Sequence, residues 1–162
     1  MALLQPQISF RLGIISDTHG LLRPEAVTAL QGSGALIHAG DVGNPYILSQ
    51  LRSIAPVFAV RGNVDTEPWA SVLPLTEVVE LHGNSIYVLH NLDKLDLNPA
   101  ASGFRIVISG HTHKPESQMH DGVLYINPGS AGPRRFSLPI CLAHLDLLKT
   151  PWHVEFHQLA VS

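Results

Sequence analysis

Seven residues able to bind metal ions stand at or just beyond the ends of apolar runs. Gly13-Ile14-Ile15-Ser16 ends at Asp17, with His19 two residues on, and Leu36-Ile37-His38-Ala39-Gly40 ends at Asp41. The run 57–62 ends at Asn63, the run 86–89 ends at His90, and the run 104–110 ends at His111, with His113 two residues on. Imidazole nitrogens mixed with carboxylate oxygens favour borderline first-row ions such as Mn²⁺, Fe²⁺, Zn²⁺ or Ni²⁺. Four histidines count against Mg²⁺ and Ca²⁺, which prefer oxygen shells. The lack of nearby thiolates counts against a structural zinc site. Seven ligand-type residues are enough for two ions. Only Asp17 and Asp41 carry negative charge, so a two-ion site stays net positive and a phosphoryl group is its natural ligand. The expected chemistry is phosphoester hydrolysis.

Runs so rich in Val, Ile and Leu, without a polar face, read as strands buried on both sides. In open α/β sheets, ligands bind just beyond the carboxyl ends of the strands. Residues i and i+2 of an extended chain point the same way, about 6.6 Å apart. On that basis Asp17 with His19, and His111 with His113, are expected to face one site from extended backbone. A helix is expected over 23–32, with Pro24 in its first turn and Gly32 as its C-terminal cap. A second, over 44–52, has Asn44 to cap it, Pro45 at its first position, and Ile47, Leu48 and Leu51 on one face. Two βαβ crossovers then make the strands leading to Asp17, Asp41 and Asn63 parallel.

The second half is richer in β-strand. Residues 77–81 and 85–89 read as a hairpin turned at Gly83-Asn84, and a short helix is expected from Asn98-Pro99. Residues 114–120 and 123–126 pair across Asp121-Gly122, and the last strands, 139–145 and 152–159, flank a turn at 148–151. There is no internal repeat or linker. The expected fold is one α/β domain over 1–162. Two mixed β-sheets pack face to face with helices on the outside, and the metal site lies at the strand C-terminal ends.

Composition narrows the function. A length of 162 residues suits one domain with a substantial core. A net charge of −3 argues against an extended nucleic-acid surface. It leaves room for a nucleotide-sized substrate, because metals can supply local positive charge. No apolar run approaches the ~18 residues that span a bilayer, and residues 1–7 lack the basic start of a signal peptide. The single cysteine, Cys141, excludes an intrachain disulfide, makes the cytoplasm the expected compartment and reads as a small buried hydrophobe.

Asp17-Thr18-His19, Gly40-Asp41, Gly62-Asn63-Val64-Asp65, His90 and Gly110-His111-Thr112-His113 together resemble the ordered signature of the calcineurin-like metallophosphoesterases. More narrowly, the short length and Ile126-Asn127-Pro128-Gly129-Ser130 are similar to the small YfcE-type prokaryotic phosphodiesterases. Gly-His-Thr-His alone is weak evidence; five blocks in order are strong. The resemblance implies a dinuclear-metal phosphodiesterase that hydrolyses small phosphodiesters by attack of a metal-bridging hydroxide. Manganese is the first expectation for both ions, with Fe, Ni or Zn as alternatives. It implies Asp17, His19, Asp41 and His113 around one ion and Asp41, Asn63, His90 and His111 around the other. Asp41 would bridge, and Asp41, Asn63 and His90 would be the catalytic residues.

Two positions depart from the pattern. Many relatives carry a histidine after the motif asparagine, where it can protonate the leaving group; here Val64 cannot, although the YfcE-type branch commonly lacks that histidine too. Asn91 follows His90 where relatives usually have glycine, and asparagine tolerates a left-handed backbone.

Other polar residues have plainer readings. His38 reads as a hydrogen-bonded core residue or a support for a ligand, and Asp65 as a candidate to orient one. Asn127 and Ser130 read as turn formers, His153, Glu155 and His157 as a solvated strand face. His82, His120 and His144 have no ligand-like context. Arg134 and Arg135 read as a solvated loop pair, with Arg134 as the candidate for clamping a substrate phosphate. Trp69 and Leu73 fit either a wall of the site or a subunit contact, which leaves room for a homo-oligomer. The competing function is a non-catalytic, protein-binding scaffold on the same fold, like the retromer subunit, and the intact Asp-x-His and Gly-His-Thr-His motifs oppose it. A DNA-repair nuclease needs DNA-binding regions for which 162 residues leave no room.

Overall fold

Side chains alternate between two buried destinations along the central strands, and that alternation builds the layers. A computed structural model describes residues 9–161. In the first half, β1 (Arg11–Ile15), α1 (Pro24–Leu30), β2 (Ala35–His38), α2 (Pro45–Arg52) and β3 (Val57–Ala59) follow in order. Then come β4 (Thr76–Leu81), β5 (Asn84–Leu89), β6 (Ile106–Ile108), β7 (Glu116–His120), β8 (Val123–Asn127), β9 (Cys141–Asp146) and β10 (Val154–Gln158). They form two five-stranded sheets, β10-β9-β1-β2-β3 and β4-β5-β6-β8-β7. Both are mixed. β1, β2 and β3 are parallel, as the crossovers require, while β9 and β10 add antiparallel strands. In the other sheet β5, β6 and β8 are parallel, between antiparallel β4 and β7.

Leu12, Ile14 and Ile37 from the first sheet meet Ile86, Val88, Ile106, Ile108 and Ile126 from the second, making the core between the sheets. The intervening Ile15 and Leu36 face the other way, against Ala26, Leu30, Ile47, Leu48 and Leu51 of the two helices. Tyr87, Leu89 and Val107 face outward from the second sheet under Leu95, Leu97 and Phe104. Strands buried on both faces need no polar alternation, which is why the sequence shows continuous apolar runs.

The outer cover of the second sheet differs from expectation. No helix forms at Asn98-Pro99; the segment is a 3₁₀ turn (Leu92–Lys94) followed by loops. The Asn98 side chain accepts from Ala101 N–H at 3.1 Å, and Gly103 (φ 87°) ends the single turn. Asp93, Asp96, Asn98 and Pro99 favour such local turns over helix propagation. The first hairpin also turns one residue earlier than expected. His82 and Gly83 hold the two positive φ values (49° and 76°), and Asn84 is already paired with Leu81. Leu73 is buried in the helix-side core and Trp69 packs against the same cluster, so packing claims both residues. No helix among the described residues is long and apolar enough to cross a membrane. Residues 1–7, read as lacking a signal peptide, lie outside the described residues.

Candidate metal centre

Each of the five runs delivers its ligand-type residue from a loop just past a strand. β1 stops at Ile15, two residues before Asp17; β2 stops at His38, β3 at Ala59, β5 at Leu89 and β6 at Ile108. The backbone of these loops is not extended. Asp17, His19, Asp41, His111 and His113 all adopt left-handed φ, at 55°, 47°, 57°, 73° and 65°. Each such residue costs about 1–2 kcal/mol, and strain of this kind persists only where the surroundings over-determine it. The pairs Asp17/His19 and His111/His113 therefore share one site because each member sits in a left-handed turn, which corrects the expectation from strand alternation.

The surroundings that hold these turns are backbone and side-chain hydrogen bonds. Asp17 N–H donates to Gly40 O (3.0 Å), His19 N–H to Asp41 O (2.9 Å) and Gly110 N–H to His90 O (2.9 Å). Buried Asp65 accepts from Val42, Gly43 and Gly62 N–H at 3.1, 2.9 and 2.9 Å, so it orders two loops and orients no ligand side chain directly. Asn127 donates to Gly110 O and Thr112 Oγ1 and accepts from Gly129 N–H. Ser130 Oγ donates to Asp17 O at 2.9 Å. Two glycines are required for space. A Cβ on Gly62 would lie 2.1 Å from Asp41 Oδ1, and one on Gly110 would lie 2.5 Å from Asp17 Oδ2.

Each aspartate commits one oxygen to the protein and leaves the other facing histidines. Asp17 Oδ2 accepts from Ser16 Oγ (2.6 Å) and His111 N–H (3.0 Å). Its Oδ1 lies 3.3 Å from His113 Nε2, 3.6 Å from His19 Nε2 and 3.9 Å from His90 Nε2. Asp41 Oδ1 accepts from Val64 N–H (3.0 Å), and its Oδ2 lies 3.6 Å from His19 Nε2 and 3.1 Å from His90 Nε2. His90 Nδ1 donates to Ala39 O at 2.8 Å, which turns the Nε2 lone pair toward the aspartates. His111 Nδ1 is 3.2 Å from Asn63 Oδ1, and its ring packs edge-on to His90 at 5.2 Å. All seven residues thus form one continuous cluster.

The donor set fits metal ions. Buried Asp17 Oδ1 and His90 Nε2 have no hydrogen-bond partner, a costly state for polar atoms unless a cation completes it. Among the described residues, Asp17-His19-His113 and Asp17-Asp41-His90 each bring their ligand atoms within 4.8 Å of one another. Electrostatics agrees. Burial pushes the Asp17 carboxyl up, but the nearby His113, His19 and His90 imidazoles and the Ser16 hydroxyl outweigh it and hold the group well below the usual range. For Asp41, burial again opposes and the His90 and Val64 contacts win, lowering it. The Asp17 contact raises His19 against the effect of burial, and Asp41 does the same for His90. Carboxylates held ionised this firmly are suited to binding cations.

The neighbouring residues sort themselves. His38 is fully buried: Gly40 N–H donates to its Nδ1 (3.2 Å), so its proton sits on Nε2 toward Thr18 Oγ1 (3.0 Å). Burial lowers it to about 4. With both nitrogens engaged it supports the loops and cannot reach a substrate. His120 is exposed at the far end of β7 beside Asp121, so it is also no proton donor for this rim. Asn91 has φ −113° and caps the 3₁₀ turn by accepting from Asp93 N–H, so no left-handed tolerance is needed there. Arg134 and Arg135 are both exposed, and Arg135 is the one whose charge is felt at His19. Ser16 and the space-making glycines escaped the reading of ligand types. Their sequence signal is a glycine directly before Asp41, Asn63 and His111.

Parallel strands feeding Asp, Asn and His to one rim of a two-sheet α/β domain define a phosphoesterase of that architecture. The chain belongs to the calcineurin-like phosphoesterase superfamily, whose domain matches residues 10–150. It is similar to the probable metallophosphoesterase MJ0623 of Methanocaldococcus jannaschii, 36% identical over 128 residues, covering 74% of this chain and 67% of the relative. Phosphodiesterase YfcE of Escherichia coli strain K12 is 27% identical over 166 residues, covering 84% of this chain and 87% of YfcE. Among solved structures, wild-type Vps29 from Entamoeba histolytica, complexed with zinc, superposes with a TM-score of 0.69 at 21% identity, covering 92% of this chain and 99% of that one. At that identity the likeness concerns the fold alone.

Proposed function

We propose that this phosphoesterase is a dinuclear-metal phosphodiesterase acting on small phosphodiesters, with Mn²⁺ as the first candidate ion. One observation carries the reading. Asp17 and Asp41 each keep one oxygen free of protein donors, and both free oxygens face the histidine nitrogens. Asp41, whose Oδ2 lies 3.6 Å from His19 and 3.1 Å from His90, would serve both ions. Asp17, His19 and His113 would complete one site, and Asn63, His90 and His111 the other. When bound, two divalent ions supply an activated water near neutral pH and a positive clamp on phosphoryl oxygens. The protein's part is positional. Val64 N–H fixes the rotamer of Asp41, Ser16 and His111 N–H fix Asp17, and Ala39 O fixes the tautomer of His90. Val64 places no proton donor beside the rim, so the leaving group departs without side-chain acid catalysis from that position.

The second reading is a non-catalytic, protein-binding scaffold, for Vps29 shares this fold. Metal binding alone does not separate the two; turnover does. Protein reconstituted with Mn²⁺ should hold close to two ions per chain and hydrolyse bis(p-nitrophenyl) phosphate, and Asp41→Ala should lose both. Two ions without turnover of any phosphoester would favour the scaffold, and no bound metal would refute the dinuclear reading.

A further inference from the structure

The rim opens at Asn63 and His90 into a cavity of about 590 Å³, within the size range of small-molecule sites. Its floor is apolar: Tyr87 and Leu89 are buried, and the Tyr87 ring is fixed against Phe104 at 5.0 Å. Its walls carry two cations, Arg61 and Lys94, and one acid, Asp96. Neither cation has an acidic partner within ion-pair distance among the described residues. Arg61 is half-buried, and its backbone N–H is anchored to Pro74 O at 2.8 Å. Only Gly62 separates it from Asn63, so its Cα lies within about 7 Å of that of Asn63. Arg61 and Lys94 thus line the same cavity as Asn63 and His90 of the rim.

We propose that this cavity receives one ester arm of the substrate and selects phosphodiesters whose arm bears a planar ring and a further phosphate, the class of 5′-phosphorylated dinucleotides. The inference rests on the phosphodiesterase reading and deepens it. The apolar floor suits a nucleobase, and the forked guanidinium of Arg61 with the Lys94 ammonium suits a terminal phosphate, which carries up to about two negative charges. Asp96 tempers that preference.

The test compares 5′-phosphorylated diadenylate with the same dinucleotide lacking the terminal phosphate. Preference is read as the ratio of kcat/KM values and, independently, as the ratio of calorimetric affinities for the metal-free protein, where hydrolysis cannot interfere. Wild type should favour the phosphorylated form by at least about tenfold, the worth of one charge-assisted hydrogen bond. The double variant Arg61→Gln/Lys94→Gln should bring both ratios near one, and Asp96→Asn should raise them. A wild-type ratio near one, or a ratio unchanged in the double variant, would overturn the proposal. Failure of wild type to hydrolyse bis(p-nitrophenyl) phosphate would instead sink the phosphodiesterase reading, and the affinity ratios would still judge the cavity.

Discussion

Replacing Gly62 with alanine tests whether the rim depends on close backbone approach. The added methyl would sit 2.1 Å from Asp41 Oδ1 and 2.2 Å from Asp41 N, against the 3.4 Å at which ordinary contact begins. One obstacle is backbone, so no rotamer change relieves the clash, and a loop must move by more than an ångström. Overpacking of this kind costs about 1–3 kcal/mol. For a chain of this length that is a fall in Tm of roughly 3–10 °C. The movement also disturbs the Val64 N–H bond that sets the Asp41 rotamer. Loss of such support typically weakens metal affinity about 10- to 100-fold. Thermal unfolding in EDTA reads the first effect, and Mn²⁺ titration calorimetry reads the second. Gly122→Ala is the control: its φ is +76° and nothing lies within 4 Å, so it should lose stability without losing metal affinity. A Gly62→Ala protein with wild-type Tm and wild-type Mn²⁺ affinity would refute the reasoning.

Asn63→Ala should weaken one metal site and recover activity with excess Mn²⁺, whereas Asp41→Ala should not recover; metal analysis and rate measurements at graded Mn²⁺ separate the two. Stripping Mn²⁺ held at about 100 times its dissociation constant removes about 2.7 kcal/mol of stability, visible as a Tm fall of roughly 5–10 °C. With Val64 at the rim and His38 locked in the loops, kcat/KM should fall steeply as the leaving-group pKa rises across aryl and alkyl diesters. Val64→His should improve the poor leaving groups by up to about 10²- to 10⁴-fold, and a flat series with chemistry rate-limiting would show that another group supplies the proton. Burial lowers His144 from 6.5 to about 4. The native state thus binds fewer protons than the unfolded one in that interval. Stability should be complete above pH 6.5 and decline toward pH 4, by at most about 3 kcal/mol from this group. Denaturant titrations should show a shallower decline in His144→Gln.

Much of this was legible in residue order. Apolar runs ending at Asp17, Asp41, Asn63, His90 and His111 read as strands with ligands at their carboxyl ends, because a strand buried on both faces leaves an uninterrupted hydrophobic signature. Pro24, Asn44-Pro45 and Asp121-Gly122 marked helix starts and a hairpin because their chemistry is local. What lay beyond local chemistry was not legible. The left-handed turns at Asp17, His19, Asp41, His111 and His113 are unfavourable for each residue alone and persist through hydrogen bonds from chain segments distant in sequence. The turn-only cover over β5 and β6 replaced an expected helix because Asn98 found a local cap. The two cations facing the cavity came together from separate strand ends, Arg61 after β3 and Lys94 after β5. Periodicity records which face a residue presents, while partners far apart in the chain decide what that face meets.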